Sequence, residues 1–244
     1  MEAALQFLKG DLESHYDKEK GTNVTKTVDN SIIAYTARYP QKYAPDKIMQ
    51  AHRDIVREFN SEKIHIRGIL IVLPKVCVHV LEGDYADILR IATRFHMDEV
   101  EMNIVDTNVF LTCSDCPIRF RGWDSIVINS IPAEVDMVEE EQAITSARRL
   151  RKILLALGDH VVTLPESEVT AFLLRVKDTN PTLIPSDENI RVVMESASAF
   201  PNLLEWEEIF RQAYETELVT DKMVPVLQPM KIPLVMPEIP VVEE

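Results

Sequence analysis

The most constraining feature of the sequence is a pair of apolar runs separated by only two residues. Residues 64–73 are almost continuously apolar. In residues 76–81, Val76, Val78 and Val80 are predicted to face one side of the strand, and Cys77, His79 and Leu81 the other. Pro74 and Lys75 stand between them, and so short a connection fits a tight turn. The pattern therefore predicts an antiparallel β-hairpin.

The segments around this hairpin extend it into a mixed sheet. Helical spacing of apolar residues and β-favouring runs mark the flanking elements. The predicted order is a strand over 31–36, a helix over 45–60, the hairpin, a helix beginning at Gly83-Asp84, and strands over 100–105 and 124–129. This is the ferredoxin-like βαββαβ unit with one added strand, an α+β fold of order βαββαββ over about 31–130.

The sequence after residue 130 predicts helices only, which we interpret as a helical extension over 131–217. The first helix is predicted over 139–157, with Gly158 as its C-terminal stop. Further helices are predicted over 165–177 and 187–199. Asn202 and Glu205 resemble a capping box, which predicts a last helix running through residue 213.

The two ends of the chain differ from this interior. Residues 1–30 are polar and are predicted to be an N-terminal leader. Residues 218–244 form a proline-rich tail with apolar residues between its regularly spaced prolines: Pro225, Pro229, Pro233, Pro237 and Pro240. This density of proline favours extended polyproline II structure. The tail is either a partner-binding strand or an arm wrapped on its own domain, and both interpretations stay open.

The charge balance restricts the partners. The formal net charge of −14 repels nucleic acid phosphates and anionic lipids, so we expect neither nucleic acid nor membrane as a partner. Simple solubility explains the charge as well as a basic protein partner does. Residues 1–10 show no signal peptide, and no run approaches a membrane span. We therefore expect a soluble cytoplasmic protein.

The three cysteines do not form a disulfide framework. Cys113 and Cys116 make one C-x-x-C pair, and Cys77 stands apart. A structural zinc site needs four ligands, and the sequence has no second pair. We favour ordinary loop thiols over a metal or redox role for this pair.

No pattern of catalytic residues emerges. The chain has six glycines and lacks nucleophile-elbow, phosphate-loop and dinucleotide patterns. The histidines show no metal-ligand spacing, and the carboxylates do not form an acid–base pair. We therefore predict that the protein is not an enzyme and holds no metal.

Three short motifs resemble the BLUF domain, a blue-light sensor that uses flavin. Gly68-Ile69-Leu70-Ile71, Val80-Leu81-Glu82-Gly83 and Phe120-Arg121-Gly122-Trp123 resemble the hairpin and the last-strand element of that family. Tyr35 lies near the end of the first strand, where the family has its photoactive tyrosine. The resemblance covers about 31–130 and implies a ferredoxin-like BLUF fold.

The same resemblance implies a flavin site whose contacts have been replaced. In the family, a tyrosine, a glutamine and the flavin edge form one hydrogen-bonded chain, and an asparagine holds the flavin's carbonyl edge. The glutamine position is His79 and the asparagine position is Ser61, with Asn60 beside it. The two nitrogens of an imidazole ring point in opposite directions, so histidine cannot reproduce the bidentate reach of a glutamine amide. Trp123 is better explained by core packing than by a flavin contact. Because the glutamine and the asparagine are replaced, we expect no cofactor.

In domain order and in its altered flavin site, the chain is also similar to the testis-expressed protein 47 family. That resemblance implies a protein of cilia or the sperm flagellum, and an axonemal subunit. Together these features predict a non-enzymatic interaction subunit within a larger assembly, built on a flavin-free BLUF-like domain. The alternative is an FAD-binding blue-light or redox sensor with a variant site.

Overall fold

The computed structural model describes residues 30–40, 42–62, 64–96, 104–129, 135, 138–196 and 199–209. The chain divides into two compact units, Met1–Glu207 and Glu208–Glu244. Apart from Asn30, the predicted leader lies outside the described residues. The tail with its five candidate partner-binding prolines, Pro225, Pro229, Pro233, Pro237 and Pro240, also lies outside them.

The first half of the chain forms the predicted α+β unit. Its elements are β1 (Ser31–Arg38), α1 (Pro45–Ser61), β2 (Arg67–Leu73), β3 (Val76–Gly83), α2 (Tyr85–His96), β4 (Val105–Cys113) and β5 (Trp123–Val127). The sheet has the order β4-β1-β3-β2-β5. All neighbours are antiparallel except β5, which runs parallel to β2. This confirms the ferredoxin-like βαββαββ fold with its added strand.

The hairpin forms as the sequence predicts. Leu73 pairs with Val76 across the two-residue turn, and Lys75 takes a φ of 72°. The next pairs follow in strict register from Val72 with Cys77 to Arg67 with Glu82. Every residue of β3 is buried because helices cover both faces of the sheet.

Helices α1 and α2 cover one face of the sheet, and the C-terminal helices cover the other. The latter are α3 (Glu140–Val161), α4 (Glu166–Thr179), the 3₁₀ turn Pro181–Leu183 and α5 (Asp187–Glu195). Their apolar sides join one side of the strands in a single core: Ile32, Ala34, Ile69, Ile71, Val78 and Val80 meet Leu150, Leu154, Leu157, Ile190 and Val193. A further helical segment, α6, spans 203–209.

The fourth strand was predicted wrongly over 100–105. β4 begins at Val105 and continues to Cys113 through the polar stretch Asp106-Thr107-Asn108. A long-range contact makes these residues compatible with a strand, because the Asn108 amide donates to the carbonyls of Val193 and Met194 at the end of α5. Residues 100–103 lie outside the described residues.

Gly158 was also predicted wrongly as a helix stop. Helix α3 continues through it to Val161. A Cβ at Gly158 would lie 2.9 Å from Cζ of Phe120 and 3.0 Å from Cβ of Arg119. The glycine therefore lets the helix approach the segment before β5 closely, and it does not end the helix.

The predicted capping box at the start of α6 is confirmed. The Asn202 side chain accepts from the backbone N–H groups of Leu204 and Glu205. The Glu205 carboxylate accepts from the Asn202 N–H in return. The remaining helices match their predictions to within a few residues, although α5 ends at Glu195, before residue 199.

Candidate functional site

Tyr35 and His79 are cross-strand partners at the centre of the sheet. They occupy paired positions of β1 and β3, and both side chains have no solvent exposure. Their rings contact each other on the face covered by α1 and α2, where the His79 ring also meets His52 and Phe95. The structure thus brings together two residues that are 44 positions apart in the chain.

His79 uses both of its ring nitrogens within the protein. Nδ1 lies 2.8 Å from the Tyr35 hydroxyl, and Nε2 accepts a hydrogen bond of 2.9 Å from the indole Nε1 of Trp123. An indole N–H can only donate, so Nε2 must carry the lone pair. The single proton of neutral His79 therefore lies on Nδ1 and is donated to the Tyr35 oxygen.

Trp123 was predicted to pack in the core, but it is not one of the buried core residues, and its indole makes a specific hydrogen bond instead. It begins β5 opposite Gly68 of β2, and its ring lies 5.8 Å from that of His79. Its side chain remains partly exposed. The indole therefore links the parallel edge strand to the polar centre of the sheet.

The side chains of His52 and Phe95 cover this hydrogen-bonded chain. His52 comes from α1 and Phe95 from α2, and their rings stack with centroids 4.6 Å apart and an interplanar angle of 22°. Both rings contact His79, at centroid distances of 5.7 Å for His52 and 5.1 Å for Phe95. The space between the two helices and the sheet at this point is therefore filled by the protein's own rings.

Burial keeps these polar groups uncharged. It lowers the pKa of His79 well below its usual range, and the neighbouring His52 lowers it further. Burial also lowers the pKa of His52 to about 4, although the Ile48 carbonyl partly offsets this. The pKa of Tyr35 is raised well above its usual range by burial and by Cys77. None of the three groups changes protonation near pH 7, where a general acid or base works best.

Asn60 and Ser61, the two candidates for the flavin-holding amide, both bind backbone at the end of α1. Asn60 accepts from the Ile66 N–H at 2.9 Å and donates to the Ile66 carbonyl at 3.3 Å. The Ser61 hydroxyl donates to the Glu58 carbonyl at 2.6 Å. Asn60 thus fixes the connection from α1 to β2, whereas Ser61 bonds within the last turn of α1.

These contacts do not fit a flavin. A flavin contacting Tyr35 and His79 would have to lie between the sheet and helices α1 and α2, where Phe95 and His52 stack. His79 also has no free nitrogen to offer, because Tyr35 and Trp123 occupy both. Among the described residues, Tyr35, His79 and Trp123 therefore form one hydrogen-bonded chain.

Glu82 of the Leu-Glu-Gly motif positions the segment that leads to Trp123. Its carboxylate is fully buried and accepts from the backbone N–H groups of Arg119 and Phe120 at 2.9–3.1 Å. Asn30 Nδ2 donates at 3.1 Å, and Arg67 Nε lies 3.4 Å away. Burial raises the pKa of Glu82, while these donors and Arg67 oppose the rise by stabilising its charge.

The sequence reasoning missed His52, Phe95 and Glu82 as parts of this arrangement. His52 was treated as one of several scattered histidines. Its position is one helical turn from both Ile48 and Val56, which are buried on the same side of α1. That spacing was the available signal. Among the described residues, no three His, Cys, Asp or Glu side chains are grouped so that they could hold a metal ion.

The chain matches a known protein family over most of its length. The sequence model described as testis-expressed protein 47 matches residues 32–212, which covers most of the chain, including the sheet and helices α1 to α5. No curated protein sequence matches this chain significantly. In the part of the chain that the structure describes, no helix is both long and apolar enough to span a bilayer.

Several solved structures are similar at low sequence identity. BlrB, a BLUF protein in its dark state, is 18% identical over 70% of this chain and 98% of its own, with a TM-score of 0.30. BlsA in its ground state is 18% identical over 64% and 89%, with a TM-score of 0.34. A bacterial light-regulated adenylyl cyclase is 15% identical over 60% of this chain, with a TM-score of 0.35; the chain spans only 40% of that cyclase.

Proposed function

The chain belongs to the testis-expressed protein 47 family, and from that premise we propose that it is a non-enzymatic, flavin-free interaction subunit of a larger protein assembly. The observation that carries the proposal is the engagement of both His79 nitrogens, by Tyr35 and by Trp123. A flavin sensor needs those groups free for its cofactor. Here Tyr35, His79 and Trp123 link three strands of the sheet, β1, β3 and β5, to one another.

The chemistry of the site supports a role without catalysis. The polar groups at the centre of the sheet are buried, and burial holds the pKa of His52 and His79 low and that of Tyr35 high. A reacting molecule would need access to such groups and a proton donor or acceptor poised near neutral pH. The described residues of this site instead form a buried, packed part of the sheet.

We place the assembly in the axoneme of the cilium or sperm flagellum, as the testis-expressed description of the family suggests. The interaction surfaces would be the helical C-terminal part and the prolines of the tail, Pro225, Pro229, Pro233, Pro237 and Pro240. An apolar segment with this proline spacing suits binding in an extended form. The partners would be proteins, and the protein would lie in the cytoplasm.

The cofactor part of the proposal is tested by an absorbance spectrum. The full-length protein is expressed in flavin-rich cells and purified without denaturation. We expect a folded, colourless protein with no flavin absorption. A flavin spectrum, with or without a response to blue light, would contradict the proposal and favour the FAD-binding sensor.

The interaction part is tested by deletion of 225–244. Tagged full-length and truncated proteins are used to recover partners from lysates of ciliated or testicular tissue, and the recovered proteins are compared quantitatively. We expect the truncated chain to recover less of the same partners. Equal recovery by both chains would remove the tail from the proposal, while recovery of nothing specific by the full-length chain would contradict the interaction role.

A further inference from the structure

The C-x-x-C pair lies in a bend that brings the Cys116 sulfur back against residue 113. Cys113 ends β4, and Asp115, between the two cysteines, takes a left-handed φ of 53°. The Cys116 thiol lies 3.5 Å from the Cys113 carbonyl. It is also in hydrogen-bonding contact with the Cys113 side chain, a contact that raises the pKa of Cys116 together with burial.

The two thiols differ in accessibility. Cys113 is partly exposed, whereas Cys116 is buried, and neither forms a disulfide in this structure. The S–H of Cys116 also lies 3.4 Å from the Asn30 carbonyl. Because Cys116 is buried, a small disulfide in solution reaches the Cys113 sulfur first. The pair therefore has one accessible sulfur and one resolving sulfur beside it.

We propose that Cys113 and Cys116 form a reversible disulfide, with Cys113 as the attacking sulfur and a low-molecular-weight disulfide such as glutathione disulfide as the oxidant. The Cys113 thiolate attacks one sulfur of the oxidant, forms a mixed disulfide and releases one thiolate. Cys116 then gives its proton to that thiolate and attacks the Cys113 sulfur, which releases the second thiolate. This thiolate takes up the proton that Cys113 lost when it ionised. Two protein thiols are oxidised and one small disulfide is reduced to two thiols.

Cys77 provides an internal control in the same chain. It lies in β3 with no solvent exposure, and burial raises the pKa of its thiol to about 12. A disulfide in solution cannot reach a sulfur that has no solvent exposure. Oxidation of the pair should therefore leave Cys77 reduced as long as the protein stays folded.

The experiment uses the full-length protein in glutathione buffers with stepped ratios of thiol to disulfide. Samples are quenched in acid, free thiols are alkylated with N-ethylmaleimide, and tryptic peptides are analysed by mass spectrometry. Cleavage after Lys75, Arg90, Arg94 and Arg119 places Cys113 and Cys116 on one peptide and Cys77 on another. Under oxidising ratios we expect the peptide with Cys113 and Cys116 to be two hydrogens lighter and to carry no alkyl group. Under reducing ratios we expect both cysteines to be alkylated again.

Two variants test the order of attack. Cys116→Ser should stop at a single mixed disulfide on Cys113, and Cys113→Ser should leave Cys116 unmodified because it is buried. The proposal is overturned if both wild-type thiols remain alkylated at every ratio while the protein is folded. It is also overturned if Cys116 in Cys113→Ser takes up glutathione as fast as Cys113 does in Cys116→Ser.

Discussion

The indole of Trp123 donates to Nε2 of His79 across 2.9 Å, and this bond determines where the histidine proton lies. Because the indole can only donate, the proton of neutral His79 stays on Nδ1 and faces the hydroxyl of Tyr35. An edge strand thereby sets the hydrogen bonding of a residue at the centre of the sheet. The first prediction concerns this bond.

Replacing Trp123 with phenylalanine should allow His79 to adopt either tautomer. The variant keeps an aromatic ring but leaves a buried acceptor unsatisfied, which costs about 1–3 kcal/mol of unfolding free energy. Denaturant unfolding measures the loss, and ¹⁵N chemical shifts of His79 report the tautomer. In the wild type we expect Nε2 to carry no proton. A protonated Nε2 in the wild type would show that the assignment is wrong.

His52 should make the protein less stable below pH 6.5. Its pKa is about 4 in the folded protein and near 6.5 when unfolded, so the unfolded state binds more protons between these values. Stability is complete above pH 6.5 and falls as the pH drops toward 4. His52→Gln should remove about 2 kcal/mol of the loss between pH 7 and pH 5. Parallel stability curves for the two proteins would refute this.

Gly68→Ala should destabilise the hairpin severely. Gly68 has a φ of 135°, and an added Cβ would lie 2.0 Å from the Val80 carbonyl oxygen. We expect a loss above about 3 kcal/mol, or failure to fold, from backbone strain and steric overlap. Gly122→Ala is the matched control, because a Cβ there meets nothing within 4 Å. Thermal unfolding of both variants checks the contrast, and similar melting temperatures would contradict it.

Glu82→Gln should loosen the segment that leads into β5. The amide keeps one acceptor oxygen but loses the charge that holds the backbone N–H groups of Arg119 and Phe120. We expect a loss of about 1.5–3 kcal/mol and faster hydrogen exchange at those two amides. Glu62→Gln, at an exposed ion pair with Arg90, should change stability by less than about 1 kcal/mol. Unchanged exchange at Arg119 and Phe120 would count against the role of Glu82.

Local patterns in the sequence were sufficient for much of the fold. The hairpin, helix α1 and the Asn202–Glu205 capping box were predicted because their determinants lie within a few residues of one another. Alternation, helical spacing and capping residues act over one or two turns of chain. The order of these elements then led to the ferredoxin-like sheet, because that topology satisfies hairpin and crossover rules.

Tertiary structure decided the features that depend on distant partners. β4 tolerates Asn108 because helix α5, 85 residues later, supplies the carbonyls that its amide binds. Gly158 lies inside α3 and not at its end, and its missing side chain leaves room for the Phe120 ring. From the sequence, His79 could be a replaced glutamine, the hydrogen-bonded partner of Tyr35 or an ordinary buried histidine. The folded sheet pairs it with Tyr35 and adds Trp123 as the partner of its second nitrogen. The sequence by itself determined which residues form strands and helices, whereas packing determined which polar groups meet, because buried hydrogen bonds depend on contacts between segments far apart in the chain.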